Sequence, residues 1–395
     1  MAPTHEPLTD PLLEPGFSGR DPYPHYARLR AEAPMAWNAT QGFWALSRYD
    51  DVMTVSTDPE TFCSGKGVLT MEIGLEYPSP PTMLHTDPPE HTRYRKLVQP
   101  AFAPSVMRRM ERETRERVQV LVETIEPDEP IEFVRAVSVP FPLQVISDLL
   151  GIPEDDWERF FYWSEAMIPG ALELSAEERA SVSTDMRDYF MRVIDERRSE
   201  PRHDVISRLV ESEIDGERLT DDELFMFLNQ LLVAGNETTR NTISGGLVEL
   251  SERPDQWSLL RSDRSLLAPA TEEILRWTTA VISFMRTATV DTQVGGVDIR
   301  AGDPLLMLYA SANRDEAQFG SDADVFDVTR SDNHHLAFGF GAHFCIGAAL
   351  ARMEVRLMLD ELLDRFSTVE PAGEVERSPS DIIAGVTRAP LVFRA

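Results

Sequence analysis

Over much of the chain, apolar positions recur at intervals of three and four residues, the period of helices that bury one stripe. They predict short helices over 23–33 and 49–56, and a restart over 88–98 with Pro88 and Pro89 tolerated in its first turn. A dense series follows: 104–125, 136–150, 154–167, 176–198, a short piece near Val205, and one long helix over 220–250. Thr220-Asp221-Asp222-Glu223 has the form of a capping box ahead of that long helix, and Pro254 closes it. Helical periodicity continues to about Arg261 and returns over 266–278 and 346–366. Strand signals are few: Trp37 with Phe43-Trp44-Ala45-Leu46 as a hairpin, then 287–290, 297–299 and 305–309. Between 63 and 81 the pattern dissolves into Gly and Pro around scattered apolar residues, the composition of a lid or binding loop. No internal repeat or linker divides the chain. The pattern reads as a loose N-terminal segment, 1–20, and one mostly α domain with a small β-rich part, 21–395.

Composition narrows the function classes. The 395 residues carry 67 acidic against 38 basic side chains, a net charge of -29, which argues against nucleic acid or an anionic membrane as a bulk partner. The two cysteines, Cys63 and Cys345, make no disulfide framework, and the first twenty residues lack a signal-like order. No apolar run reaches the length of a membrane span. The expectation is a cytoplasmic protein.

The densest chemistry lies in Phe338-Gly339-Phe340-Gly341-Ala342-His343-Phe344-Cys345-Ile346-Gly347. A cysteine just ahead of a helix meets free backbone N–H groups and the positive end of the helix dipole, which favour thiolate. Gly339 and Gly341 permit a tight turn against a flat ligand, and Gly347 a close first helical turn. Taken alone, Cys345 is equally an inert buried thiol. His91 and Arg95, at i and i+4, share a helix face and suit an acidic group or plain solvent. In mid-helix, Ala234-Gly235-Asn236-Glu237-Thr238-Thr239 joins a costly glycine to an acid and a hydroxyl. Thr238 is placed to bond the carbonyl of Ala234 and bend the helix there, giving a small groove with a proton donor, or a helix-packing site through Gly235. Glu273 and Arg276 form an i, i+3 pair among apolar neighbours, and Arg286, at a strand start, is a further candidate anion ligand.

Together, and in this order, these motifs resemble the cytochrome P450 family of haem-thiolate monooxygenases, over essentially everything from about Asp21 onward. The resemblance implies the cytochrome P450 fold, with haem b between the long central helix and the cysteine-loop helix. It implies Cys345 as the axial thiolate on iron, donating electron density that favours O–O cleavage, with Phe338 packed beneath the haem. It makes His91, Arg95, Arg286 and His343 the ligands of the haem propionates, and Ala234 and Gly235 the backbone over the haem. Glu237 and Thr238 would relay protons to dioxygen. Glu273 and Arg276 would be a structural pair joined by Arg330. Two departures, Glu316 and Ala323 where many relatives carry proline, put local loop shape in question.

No flavin or iron–sulfur motif is visible, so the resemblance implies electrons from NAD(P)H through a ferredoxin reductase and a ferredoxin (2Fe-2S or 3Fe-4S). Arg93, Lys96, Arg108, Arg109, Arg112, Arg352 and Arg356 form a candidate basic docking patch, or merely solvated helix faces. The candidate substrate lining is almost wholly apolar: Leu69, Ile73, Leu75, Met167, Ile168, Leu231, Ala234, Val281, Ile282, Phe284, Ile383 and Val386, with only Glu72 and Glu76 charged nearby. That predicts a steroid, terpenoid, branched lipid or fatty acid, or macrolide-like substrate. The competing readings are a peroxide-driven haem-thiolate peroxygenase, which usually lacks the acid–threonine pair, and a non-catalytic haem-binding protein, which needs no lined pocket.

Overall fold

The computed structural model describes residues 10–14, 17, 20–72, 74, 82–153, 156–167, 174–214, 216–380 and 382–395. The expected positions Ile73, Leu75, Glu76 and Ile168 lie outside them. The expected helices form within a few residues of their predicted ends: Tyr23–Glu32, Tyr49–Thr57, Glu90–Val98, Pro104–Glu123, Pro140–Leu150, Trp157–Met167, Ala176–Ser199, Val205–Glu211, Asp221–Ser251, Pro254–Ser262, Leu267–Thr278 and Ala348–Arg365. One boundary differs for a clear reason. Pro140 brings no N–H to continue a helix through it, and the preceding turn, Val134–Ser138, widens to a π-helix in which the Val139 N–H reaches the Val134 carbonyl (2.8 Å).

The β-part is larger than the pattern implied. A five-stranded sheet runs in the order Met35–Asn38, Phe43–Leu46, Pro304–Leu308, Ser283–Ala288, Phe62–Cys63. Ser283–Ala288 begins before the predicted strand because its first residues pair with the apolar run, Leu308 opposite Ser283 and Leu305 opposite Arg286. Arg286 therefore sits inside a strand rather than at its start.

The long helix is the axis of the main core. Thr220 and Glu223 cap it reciprocally as predicted, worth about 1 kcal/mol. Its apolar side packs against Pro140–Leu150, Leu267–Thr278 and Ala348–Arg365. A Cβ on Gly235 would lie 2.6 Å from the Ile146 side chain, so here the glycine serves close helix packing. The helix stays α-helical through this turn. The segment read as loose is partly docked: Leu12 is buried, and Phe17 meets the rings of His25 and Tyr26 edge-on.

Glu273 and Arg276 are fully buried and joined by two 2.8 Å hydrogen bonds. Arg330 approaches Glu273 at 3.3 Å, as expected. The two positions lacking proline carry other contacts. Glu316 pairs with Arg30 at 3.1 Å, and the Ala323 carbonyl accepts from Arg276 at 2.7 Å.

Candidate functional site

The cysteine loop is held from outside. Its Gly341 has a positive φ of 71°, and a Cβ there would lie 2.2 Å from the Ser56 carbonyl oxygen, so only glycine fits against the helix Tyr49–Thr57. Within the loop the Cys345 N–H donates to the Phe338 carbonyl (2.9 Å), and the helix starts at Ala348, with Gly347 as its N-cap. The Gly347 N–H, Arg95 and Arg352 favour the thiolate, yet burial outweighs them and pushes the Cys345 thiol up. The helix start alone therefore does not produce the expected low pKa, because desolvation of the sulfur is the larger effect. Phe338 lies under the Arg352 guanidinium (4.6 Å) and edge-on to Phe344 (6.2 Å), and Glu272 fixes Arg352 at 2.7 Å.

Four cationic or ionisable side chains converge from three elements. His91 and Arg95 come from Glu90–Val98, Arg286 from the central sheet and His343 from the cysteine loop. The His91 and His343 rings are 4.2 Å apart, and Ser64 Oγ lies 3.1 Å from His343 Nε2. His91 is buried with its Nε2 unpaired. Arg286 is buried too, and among the described residues it hydrogen-bonds the Met285 carbonyl alone (2.7 Å). Among the described residues neither Arg95 nor Arg286 has an ion-pair partner. The nearest carboxylate, Asp87, is occupied by the N–H groups of Ser64 (2.7 Å) and Gly65 (2.9 Å). Burial and the two arginines push His343 down to about 2, and burial followed by Arg95 lowers His91. The two arginines give this corner positive potential, and among the described residues no acid pairs with them. Its chemistry fits a group with two carboxylates.

On the long helix Thr238 Oγ1 donates to the Ala234 carbonyl at 2.8 Å, as the spacing predicted. Glu237 is buried and bonded to Arg240 (3.2 Å), which also binds Glu165 of Trp157–Met167 (2.9 Å). Burial, with Glu165 adding repulsion, raises Glu237 to about 7 despite Arg240. The carboxyl is thus poised to gain or lose a proton near neutrality.

A scan of protein families matches residues 131–263 and 259–393 to the family described as Cytochrome P450. The chain belongs to the cytochrome P450 family. It is 37% identical over 387 residues to a steroid C26-monooxygenase of Mycolicibacterium smegmatis, covering 93% of this chain and 89% of that protein. A methyl-branched lipid omega-hydroxylase of Mycobacterium tuberculosis is 39% identical, with 93% and 90% covered. A linalool 8-monooxygenase of Pseudomonas putida is 36% identical, with 95% and 97% covered. Among solved structures, cytochrome P450 CYP109Q5 from Chondromyces apiculatus superposes with a TM-score of 0.88 at 36% identity, over 97% of this chain and 98% of that one. CYP109E1 from Bacillus megaterium in complex with corticosterone gives 0.85 at 32%, over 95% and 99%.

This cytochrome P450 is a haem-dependent monooxygenase that hydroxylates hydrophobic small molecules. The residues present fit haem b: a half-buried cysteine on the cysteine loop, and a buried Arg286, a half-buried Arg95 and an orphaned imidazole nitrogen suited to its two propionates.

The expected lining residues fall into two groups. Val281 and Ile383 pair as an isolated bridge, and Phe284 packs beside Tyr309. Leu69, Met167 and Leu231 are partly buried, and Ala234 is exposed on its helix. Ile282, just ahead of the strand Ser283–Ala288, packs in contrast into a cluster with Leu12, Tyr26 and Leu29, and Val386 packs into the main core. Alternation along the extended segment separates Ile282 from Val281. Glu72 turns away from any ligand role: it accepts the N–H groups of Val68 and Leu69 (2.8 Å each) and meets His85 at 3.2 Å. Sequence reasoning missed Ser64, Tyr309, Glu165 and Arg240; only Arg240, three residues past Glu237, left a spacing signal.

The basic patch is only partly free. Arg93 pairs with Glu217 and Glu223, Arg352 with Glu272, and Arg356 with Glu111, while Arg109 donates to the His203 carbonyl. Lys96, Arg108 and Arg112 are exposed with no ion pair among the described residues.

Proposed function

We propose that residues 21–395 act as a single catalytic domain in the cytoplasm, with Cys345 as the iron ligand and His91, Arg95, Arg286 and His343 as propionate ligands. The observation that carries this assignment is the pair of arginines, one buried and one half-buried, that stand with two imidazoles beside the cysteine loop and have no ion-pair partner among the described residues. When bound, haem supplies the redox iron at which dioxygen is reduced. The protein's own part is positional. Arg95 and Arg286 would neutralise the two carboxylates, with His91 and His343 as hydrogen-bonding partners, and Ala234, with no side chain beyond Cβ, would leave room for the group. Thr238 presents a hydroxyl anchored on the Ala234 carbonyl. Glu237, near its midpoint at neutral pH, takes protons from the Arg240–Glu165 side and passes them toward Thr238.

The substrate is a steroid, terpenoid or branched-lipid molecule, as the names of the relatives and the apolar Val281, Phe284 and Ile383 suggest. Electrons come from a ferredoxin and its reductase. The exposed Lys96, Arg108 and Arg112, with Phe340 and Phe344 exposed on the cysteine loop, support an acidic partner with an apolar centre. Reversing Arg108 and Arg112 to Glu should slow reduction by a ferredoxin at least tenfold at low salt and far less at high salt. Unchanged kinetics at low salt would remove this docking site.

A further inference from the structure

A second cavity of about 700 Å3 opens between the first helix, the far half of the long helix and the segment 382–386. Its long-helix wall is one face, Asn241, Gly245, Glu249 and Glu252, which follows the Glu237–Thr238 turn. Apolar side chains line much of the rest: Tyr26, Trp277, Ile282, Ala310, Ala384 and Val386. Asn241 stands at the inner wall, 2% exposed, with neither Oδ1 nor Nδ2 hydrogen-bonded. Two unsatisfied buried amide atoms are costly unless water or a ligand meets them. The charged rim balances in sign, four arginines (Arg20, Arg253, Arg314, Arg377) against four acids (Asp21, Glu249, Glu252, Asp324). Arg253 is bonded to Glu249 at 2.6 Å. Arg314 lies between the rings of Tyr23 (3.4 Å) and Trp277 (3.5 Å), 3.6 Å from Asp324.

We propose that this cavity is an effector site for a neutral, largely apolar molecule bearing one hydroxyl or carbonyl, seated with that group on the Asn241 amide. The volume lies within the range of small-molecule sites, and a rim with as many arginines as acids offers no net charge to an ionic occupant. Such a molecule belongs to the class proposed above as substrate, so the inference on ligand class rests on that reading. The site is coupled to the candidate substrate side through one short segment. The Ile282 N–H donates to the Ile382 carbonyl and the Ala384 N–H to the Ala280 carbonyl (2.9 Å each). Ile383, between them, bridges to Val281. A ligand resting on Ala384 and Val386 holds the segment that presents Ile383, so occupancy changes substrate affinity and the reverse holds equally.

The test uses the haem-loaded protein with linalool and testosterone as probes. Binding is followed two ways: by the iron spectrum, which reports the haem side alone, and by calorimetry, which counts all molecules bound. Wild type should bind two molecules of at least one probe, only one of them with a spectral shift. Ala384→Phe, filling the cavity, should leave one molecule and a spectral titration without sigmoidicity. Asn241→Leu should weaken the spectrally silent event about tenfold, the value of one net hydrogen bond. An unchanged carbon-monoxide spectrum of both variants certifies their folding. One molecule per chain in wild type, or two in both folded variants with unaltered affinity, overturns the effector site and leaves the substrate reading standing. No binding of either probe overturns both.

Discussion

Arg276 and Arg286 are buried arginines ten residues apart, one in the last turn of a helix and one inside a strand. Arg276 is completely satisfied. It binds both oxygens of Glu273 and the carbonyls of Asn313, Ala323 and Val325. Glu273 in turn accepts from the Asp327 N–H and Asn333, with Arg330 close by. Arg286 has one neighbouring carbonyl, and around it stand Arg95, His91 and His343 with no free acid among the described residues. A buried charge paired within its own chain ties elements together. A buried arginine left open beside a second one costs stability and persists because something outside the chain pairs with it. The first cluster belongs to the fold and the second to the ligand.

Breaking the closed cluster should have the largest effect. Arg276→Leu strands the Glu273 carboxylate in the core, at about 3–5 kcal/mol; urea denaturation should show that loss, or no folded protein at all. The Glu237–Arg240–Glu165 group is an intermediate case, two acids on one arginine, and it makes a pH prediction. The folded-state pKa of Glu237, about 7, lies above its ordinary 4.5, so the unfolded chain ionises first and the native advantage, present at low pH, is lost as pH rises through 7. Glu237→Gln should flatten the stability–pH curve between about pH 5 and 8 by up to about 3 kcal/mol. A curve of unaltered slope would show that Glu237 is ionised throughout.

Opening the second cluster further should act on the ligand rather than the fold. Arg95→Leu and Arg286→Leu should each leave the haem-free protein as stable or slightly more so, since like charges are removed. Haem affinity should drop about 10- to 100-fold each, the worth of a charge-assisted bond, measured by haem transfer to apomyoglobin. The smallest effect belongs to Arg352→Ala. Its pair with Glu272 is partly exposed, so thermal unfolding should change by under about 1 kcal/mol.

The helices were legible because each buries one stripe, and the site motifs because they are local: Thr238 finds a carbonyl four residues back, and Cys345 a carbonyl seven residues back. What the chain hid is long-range. Nothing near Ser64 announces His343, 279 residues away, and nothing near Ser56 explains why position 341 must be glycine. Ile282 shows the limit of composition. An apolar residue beside Val281 reads as lining until alternation along the extended segment separates the two. The basic patch was legible in part: Lys96, Arg108 and Arg112 stay exposed, while Arg352 has found Glu272 and Arg356 has found Glu111 on other elements.

The central claim is that the open cluster exists for two carboxylates of haem b. Titrating haem and its uncharged dimethyl ester into the haem-free protein, wild type against the Arg95→Leu/Arg286→Leu double variant, tests it directly. Wild type should prefer the free acid by about 100-fold or more, and the double variant should lose that preference while binding the ester as wild type does. Equal preference in both proteins would contradict the account.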